Sequence, residues 1–209
     1  MTVSAAVVVI ATSPVPGRAL TRLCPPLEHA QAAALAEAAL ADTLQSVAWT
    51  PAVRRVVALD GAPGSWLPAG FDAIEQGGTS RGERLASVVT DVGEPLLLLW
   101  ADTPQLTRAL LYEALERLAE PQTDAVLGPT ADGGCWAIGL AQPDPRAFDG
   151  MRSSSRPSAA RQGARLHELG LRATQLDTLQ AVHTFDDAVA VASLAPWTRF
   201  AATLELLTG

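Results

Sequence analysis

The sequence contains no lysine, so its positive charge rests entirely on arginine. Fifteen arginines stand against 22 aspartates and glutamates, and the chain of 209 residues has a formal charge of −7. An acidic chain without a basic run is a poor partner for nucleic acid, because phosphate contacts supply most of that affinity. We therefore expect no nucleic-acid partner. Any charged side chain that contacts a phosphate group in this protein must be an arginine.

The sequence also lacks segments that would direct a chain into a membrane. Its longest apolar run is far shorter than the ~20 residues that span a bilayer. Its first residues carry no basic region of the kind that opens a signal peptide. The two cysteines, Cys24 and Cys135, lie far apart and lack the spacing of metal ligands. We therefore expect a cytoplasmic protein with free thiols and no membrane partner.

What the sequence does contain is an alternation of apolar strands and helices. Residues 3–11 form a continuous apolar run rich in β-branched side chains, which is typical of a strand buried on both faces of a parallel sheet. We predict further strands over residues 54–60, 71–76, 95–100, 124–130, 135–141 and 172–177. We predict helices over residues 28–47, from about 80, and over 105–119, 161–169, 186–194 and 197–207. This order predicts a single α/β domain with a mostly parallel central sheet.

Two segments add detail to this alternation. Residues 142–160 are the least regular part of the chain and predict a surface loop. The last predicted helix, residues 197–207, is apolar enough either to join the core or to form the contact of a homodimer.

One predicted strand ends on a carboxylate, in the stretch "LLLLWADTPQL" at residues 96–106. Ligands of open α/β sheets bind at the carboxyl ends of the strands, where Asp102 is expected to lie. One interpretation is structural: Asp102 or Thr103 caps the helix that follows, with Pro104 in its first turn. The other is that Asp102 binds a divalent cation, since Mg²⁺ prefers carboxylate oxygens and bridges them to substrate phosphates.

The loop after the first strand, "SPVPGRALTRL" at residues 13–23, favours the second interpretation. It is neither a Walker A loop nor a dinucleotide fingerprint. Gly17 allows close approach of the backbone, and Arg18 and Arg22 are able to fork onto phosphate oxygens. Doubly wound folds place nucleotide phosphates at this loop.

Three motifs occur in a specific order: the proline-glycine loop ending in "TRL", the "DTP" at 102–104, and "DGGCWAIGL" at 132–140. Together they resemble the bacterial glycosyltransferase-A-like proteins known as uncharacterised, selenodomain-associated transferases. These proteins are distantly similar to the guanylyltransferases of cofactor biosynthesis. The resemblance implies a Rossmann-like, three-layer glycosyltransferase-A fold, with a nucleotide-binding half over about residues 1–103 and an acceptor half over about 104–209.

The resemblance also implies roles for individual residues. Asp102 and Asp132 would be catalytic. Asp102 would also bind Mg²⁺ or Mn²⁺, together with Asp187 near the end of the chain. The acceptor would contact Gly133, Gly134 and Trp136. The nucleotide would contact residues of the first loop and of the "SRGERL" segment, namely Ala11, Thr12, Gly17, Arg18, Arg22, Gly82 and Arg84.

The chain departs from the family pattern at several positions. Thr12 and Leu20 stand where lysines are expected, Trp100 replaces a glycine, and His183 replaces an aspartate. The resemblance favours metal-assisted glycosyl transfer from a nucleoside diphosphate sugar to an acceptor that the sequence does not identify. The alternative enzyme is a nucleotidylyltransferase of the guanylyltransferase type. Because two cations are lost, a non-catalytic protein that binds nucleotide is the third hypothesis.

Overall fold

One mixed sheet organises the computed structural model, which describes residues 5–151 and 158–209. Its seven strands are β1 (Ala6–Thr12), β2 (Arg55–Asp60), β3 (Asp72–Glu75), β4 (Leu96–Trp100), β5 (Ala125–Pro129), β6 (Cys135–Leu140) and β7 (Ala173–Gln175). They lie in the order β3-β2-β1-β4-β6-β5-β7. In this described part of the chain β6 is antiparallel to both of its neighbours, and all other pairs are parallel.

The strands β1 and β4 form the interior of the sheet, as their apolar sequences predict. Val7 pairs with Leu97 and Val9 with Leu99 in parallel register. Every residue of β4 is buried, and β1 is buried from Ala6 to Ala11. Strands this uniformly apolar require helices on both faces of the sheet. The α/β prediction is therefore confirmed, with β1 beginning at Ala6 and residues 1–4 outside the described part.

Six helices surround the sheet within the described residues. They are α1 (His29–Ala48), α2 (Arg81–Val92), α3 (Arg108–Leu118), α4 (Ala159–Glu168), α5 (Phe185–Leu194) and α6 (Arg199–Thr208). On one face, Val7 and Val9 pack with Leu44 of α1 and Leu111 of α3. On the other face, Val8 packs in a second cluster with side chains of α2 and α4. These layers give the three-layer arrangement that the resemblance implies.

The last two helices pack on the outer side of α1. Leu35, Val191 and Phe200 share a third apolar cluster there. The Asp42 carboxylate of α1 accepts hydrogen bonds from the backbone N–H groups of Arg199 and Phe200, at 3.1 and 2.9 Å, and so caps α6. The outer side of this helix pair still exposes Trp197, and the predicted homodimer contact stays a prediction.

The structure corrects the predicted start of α3. The helix begins at Arg108, where the Thr107 side chain accepts a hydrogen bond from the backbone N–H of Leu110. Residues 102–106 form turns instead of a first helical turn, because the backbone N–H of Leu106 bonds the carbonyl of Thr103. Neither Asp102 nor Thr103 is the N-cap, so the capping interpretation of Asp102 is wrong.

The predicted surface loop at 142–160 is only partly loop. Pro145–Phe148 forms a 3-10 turn, and Phe148 is buried in the second cluster. Residues 152–157 lie outside the described part, and α4 starts at Ala159. Neither Cys24 nor Cys135 forms a disulfide. Among the described helices, none combines the length and apolar character needed to cross a bilayer.

Candidate active site

The carboxyl ends of β1, β2 and β4 meet at one edge of the sheet. Thr12 pairs with Asp60 at the ends of β1 and β2, and Ile10 pairs with Trp100 at the end of β4. The loop that follows β1 and the turn that follows β4 border a cavity of about 510 Å³ at this edge. The sequence prediction that Asp102 and the 12–22 loop lie side by side therefore agrees with the structure.

The cavity is rich in arginine. Its charged and polar lining residues are Thr12, Arg18, Thr21, Arg22, Asp60, Gln76, Thr79, Arg81, Arg84, Asp102 and His183. Four positive side chains and two negative ones give the lining a formal charge of +2 when histidine is neutral. In a chain with a net charge of −7, this concentration of arginine indicates a site for an anion.

Asp60 joins two of these arginines. Its Oδ1 lies 3.0 Å from Nη2 of Arg18, and its Oδ2 lies 2.9 Å from Nη1 of Arg84. Arg18 belongs to the loop after β1, whereas Arg84 belongs to the first turn of α2. One carboxylate at the end of β2 thus connects the two segments that carry the arginines.

A capping box fixes the start of α2, and with it the positions of Arg81 and Arg84. The Glu83 carboxylate accepts hydrogen bonds from the backbone N–H groups of Thr79 and Ser80, at 2.8 and 3.0 Å, and from the Thr79 hydroxyl at 2.7 Å. The Ser80 hydroxyl in turn accepts from the backbone N–H of Glu83. These bonds, the one from the Thr79 hydroxyl above all, lower the pKa of Glu83 to about 2.

We expect the stabilisation from Glu83 to disappear in acid. Because the pKa of Glu83 falls from 4.5 in the unfolded chain to about 2 in the folded one, its contribution is complete above about pH 4.5 and is lost as the pH falls towards 2. Chemical denaturation from pH 2 to 6 should show a steeper acid loss for the wild type than for Glu83→Gln. The control is Glu37→Gln, at an exposed position within α1. Parallel pH profiles for the wild type and Glu83→Gln would contradict the capping role.

Asp102 lies in the turn that directly follows β4 and lines the cavity. Its backbone carbonyl accepts a hydrogen bond of 2.8 Å from the backbone N–H of Val182. This bond brings the segment before α5 to the edge of the sheet, and His183 consequently lines the same cavity. Sequence reasoning treated His183 only as a departure from the family pattern.

The turn at 130–134 reaches the same edge because β5 runs parallel to β4 and ends there. Asp132 in this turn accepts hydrogen bonds on Oδ1 from the Thr130 hydroxyl and the Gly134 backbone N–H. Its Oδ2 lies 3.0 Å from Nε2 of His183, a contact that becomes an ion pair when the imidazole is protonated. The predicted acceptor turn is thereby connected to a residue that lines the cavity.

Asp187, the second predicted metal ligand, serves as a helix cap in this structure. Its carboxylate accepts hydrogen bonds from the backbone N–H groups of His183 and Thr184, the Thr184 hydroxyl and the Gln180 side chain. Burial raises the pKa of Asp187, but these bonds outweigh it and leave the pKa below its usual value. Its role as a metal ligand stays a prediction.

The residues expected to bind ligand fall into two groups. Ala11, Thr12, Arg18, Arg22, Arg84 and Asp102 line the cavity. Gly17 and Gly82 do not, and a Cβ atom at Gly82 would lie 2.6 Å from the backbone oxygen of Phe148. Gly82 thus permits the close packing of α2 on the 3-10 turn, while nucleotide binding by Gly17 and Gly82 stays a prediction.

Trp136 has a structural role that the sequence did not indicate. Its side chain is 1% exposed and packs in the core, and its Nε1–H donates a 2.9 Å hydrogen bond to the carbonyl of Asp177. The ring lies directly over Gly128, where a Cβ atom would come within 2.5 Å of it. The structure thus places Trp136 in the core, and the acceptor role predicted for it stays a prediction. Gly133 and Gly134 remain in the turn beside Asp132.

Both positions of the missing family lysines lie at the cavity. Thr12 is exposed there at the end of β1. Leu20 lines the cavity with a φ of 47°, a left-handed conformation that a bulky side chain rarely adopts. The lost cations are thus lost from the site itself, and Arg18, Arg22, Arg81 and Arg84 provide its positive charge.

Sequence reasoning missed Asp60, Gln76 and Arg81. The side-chain Nε2 of Gln76 donates hydrogen bonds to the carbonyls of Ala11 and Ala58, at 3.0 and 2.8 Å, and fixes the ends of β1 and β2 beside the cavity. Asp60 had a signal: it ends a predicted strand, as Asp102 does. Gln76 also ends a predicted strand and Arg81 lies in the "SRGERL" segment, but a neutral amide and one more arginine gave no reason to single them out.

The chain is similar to known proteins over most of its length. A family model described as "Uncharacterized protein conserved in bacteria (DUF2064)" matches residues 28–155. The chain is also 33% identical over 172 residues to a 2-phospho-L-lactate guanylyltransferase of Haloarcula marismortui, a match that covers 80% of this chain and 75% of that protein.

Solved structures share the fold. A protein of Desulfovibrio desulfuricans G20, provisionally described as a nucleotide-diphospho-sugar transferase, aligns with a TM-score of 0.86 at 24% identity over 98% of this chain and 95% of its own. Rv0371c of Mycobacterium tuberculosis H37Rv, in complex with manganese, aligns with a TM-score of 0.56 at 16% identity over 91% and 98%. The 2-C-methyl-D-erythritol 4-phosphate cytidylyltransferase of Thermus thermophilus aligns with a TM-score of 0.54 at 16% identity over 92% and 99%.

These matches confirm the resemblance and the glycosyltransferase-A-like fold that the motifs imply. At 24% identity and below, the solved structures bear on the fold alone, whereas the family model covers more than half of the chain. The chain therefore belongs to the bacterial family described as uncharacterized protein conserved in bacteria (DUF2064), and it has the fold of the nucleotide-diphospho-sugar transferases.

Proposed function

We propose that this protein is a nucleotide-dependent transferase that moves a nucleoside monophosphate from a nucleoside triphosphate onto a small acceptor. The observation that carries the proposal is the cavity at the carboxyl edge, where four arginines surround the ends of β1, β2 and β4 and Asp102 lies beside them. This is the place where open α/β sheets bind nucleotides.

The similarity to a guanylyltransferase favours a triphosphate over a nucleotide sugar. A lining with a formal charge of +2 suits the phosphates of either ligand. The guanylyl transfer named for the Haloarcula marismortui relative, at 33% identity, supports the triphosphate. Glycosyl transfer, which the motifs alone favoured, becomes the second candidate.

The proposed chemistry requires positive charge near the leaving group, and the arginines would supply it. An acceptor oxygen forms a bond to the α-phosphorus, the bond between the α-phosphorus and the bridging oxygen breaks, and pyrophosphate leaves with the electron pair. Arg18, Arg22, Arg81 and Arg84 would stabilise the negative charge that develops on the leaving group. The turn around Asp132 would face the acceptor, since it reaches the edge next to His183.

Asp102 suits a divalent cation only in company with the substrate. In residues 5–151 and 158–209, no cluster of three or more histidine, cysteine, aspartate or glutamate side chains is able to hold a metal. Mg²⁺, however, is commonly held by one or two carboxylates together with substrate phosphates, and Mn²⁺ accepts similar oxygen ligands. When bound in this way, the cation would neutralise phosphate charge, and Asp102 is the residue that we assign to it.

A product assay tests the proposal and separates it from the alternatives. The protein is incubated with each of the four common nucleoside triphosphates, Mg²⁺ or Mn²⁺, and 2-phospho-L-lactate, the acceptor in the relative's name, and pyrophosphate release is measured. A parallel arm uses nucleoside diphosphate sugars and measures release of nucleoside diphosphate. We expect pyrophosphate release that depends on metal and acceptor. Activity only with nucleotide sugars would establish glycosyl transfer instead.

Thermal shift distinguishes a protein that binds nucleotide without catalysis from a protein that binds no nucleotide. A ligand present at ~100 Kd stabilises the folded state by ~2.7 kcal/mol, which raises the Tm. A Tm shift with nucleotide but no product in either arm would favour the non-catalytic hypothesis over the two transfer reactions assayed. No shift with any nucleotide would overturn the proposed function.

A further inference from the structure

Asp60 is a charged residue of the cavity to which the family motifs assign no role. It is the last residue of β2, and its two carboxylate oxygens each contact a different arginine. The three side chains remain between one third and one half exposed, so solvent reaches the group. Arg18 and Arg84 come from different segments of the chain. Through these two contacts, Asp60 connects them.

The backbone holds Asp60 firmly in this place. Its carbonyl accepts a 3.1 Å hydrogen bond from the backbone N–H of Ser13, which continues the pairing of β1 with β2. The next residue, Gly61, has a φ of 120°, and a Cβ atom there would lie 2.6 Å from Oγ of Ser13. The glycine therefore permits the end of β2 to approach the start of the arginine loop.

The physical consequence concerns two like charges. Two guanidinium groups brought to one phosphate repel each other, and two long side chains lose rotamer freedom when they are ordered. A carboxylate between them offsets the repulsion and orders both side chains before ligand arrives. Each arginine uses only one nitrogen for Asp60 in these contacts, and its other N–H groups remain suited to phosphate oxygens.

We propose that Asp60 is a positioning residue that aligns Arg18 and Arg84 as a paired clamp for the phosphates of the nucleotide. The inference rests on the proposed function for the identity of the ligand. The alternative role is that Asp60 competes with phosphate for the two arginines. The two roles differ in sign, because removal of a negative charge from the cavity weakens nucleotide binding only if Asp60 positions the arginines.

The experiment is isothermal titration of GTP and, separately, inorganic pyrophosphate into the wild type, Asp60→Asn and Asp60→Glu. We expect each variant to bind about 10-fold more weakly than the wild type. Asp60→Asn removes the charge, and Asp60→Glu retains it but moves the carboxylate by about 1.5 Å. The matched control is Asp72→Asn, which breaks a 2.7 Å pair with Arg54 at a position that does not line the cavity.

A second background tests whether Asp60 acts through the arginines. In Arg18→Gln/Arg84→Gln protein, the further change Asp60→Asn should leave pyrophosphate binding unchanged, whereas a general structural role would lower it again. Wild-type or tighter binding by Asp60→Asn and Asp60→Glu would overturn the inference and leave the proposed function standing. A wild type that binds neither pyrophosphate nor any of the four common nucleoside triphosphates would overturn both.

Discussion

Replacing Asp102 with asparagine is expected to lower metal-dependent turnover by at least about 100-fold, because asparagine keeps the size of the side chain but carries no negative charge for the cation. The change should have little effect on the free energy of unfolding, since Asp102 does not cap α3. The measurements are the rate of pyrophosphate release with Mg²⁺ and with Mn²⁺, and the Tm of each protein.

The control for this experiment is Asp91→Asn, at an exposed aspartate near the end of α2. It should change neither turnover nor metal dependence. Direct binding of Mn²⁺ in the presence of nucleotide adds a measurement that does not depend on activity. If Asp102→Asn retains wild-type Mn²⁺ binding and turnover, Asp102 is not a metal ligand. The comparison extends to Asp187→Asn, which a capping role predicts to alter stability more than metal binding.

Replacing Trp136 with alanine is expected to lower the free energy of unfolding by about 3–5 kcal/mol, the range for large aromatic side chains removed from a core. The side chain is 1% exposed, and its loss also leaves the Asp177 carbonyl without the indole N–H. Urea denaturation measures the change in the free energy of unfolding, and the m-value should be the same for the variant and the wild type.

Trp197→Ala provides the matched control, because that tryptophan is 71% exposed. A surface change of this kind should stay within about 0.5 kcal/mol of the wild type. Trp136→Ala protein with wild-type stability but impaired acceptor use would support the acceptor role and contradict its buried placement. The two variants therefore separate the loss of a buried tryptophan from the loss of an exposed one.

The strands and the place of the site could be predicted because both depend on local patterns. Apolar runs such as those of β1 and β4 indicate a buried parallel sheet, and an aspartate at the end of such a run lies at the carboxyl edge by topology alone. For the same reason, the sequence alone predicts that Asp102 lies beside the loop containing Arg18 and Arg22.

The features that the sequence did not indicate depend on contacts between distant segments, and no local pattern encodes such contacts. Trp136 follows a glycine-rich turn in sequence, yet the pleat of β6 points its ring into the core over Gly128. Asp60 and Arg84 meet only because β2 ends beside the start of α2, and Asp132 meets His183 only because the segment before α5 returns to the sheet. Residue spacing along the chain does not indicate either contact.

The hydrogen bond between the Val182 N–H and the Asp102 carbonyl connects the packing of α5 and α6 to the candidate site. Val182 is buried in the cluster that holds α5 and α6 against α1, so its amide joins that packed unit to the turn carrying the candidate metal ligand. A substitution that loosens the packing of Phe200 or Val191 would shift this anchor without touching the cavity. The position of Asp102 thus depends both on the end of β4 and on the packing of α5 and α6.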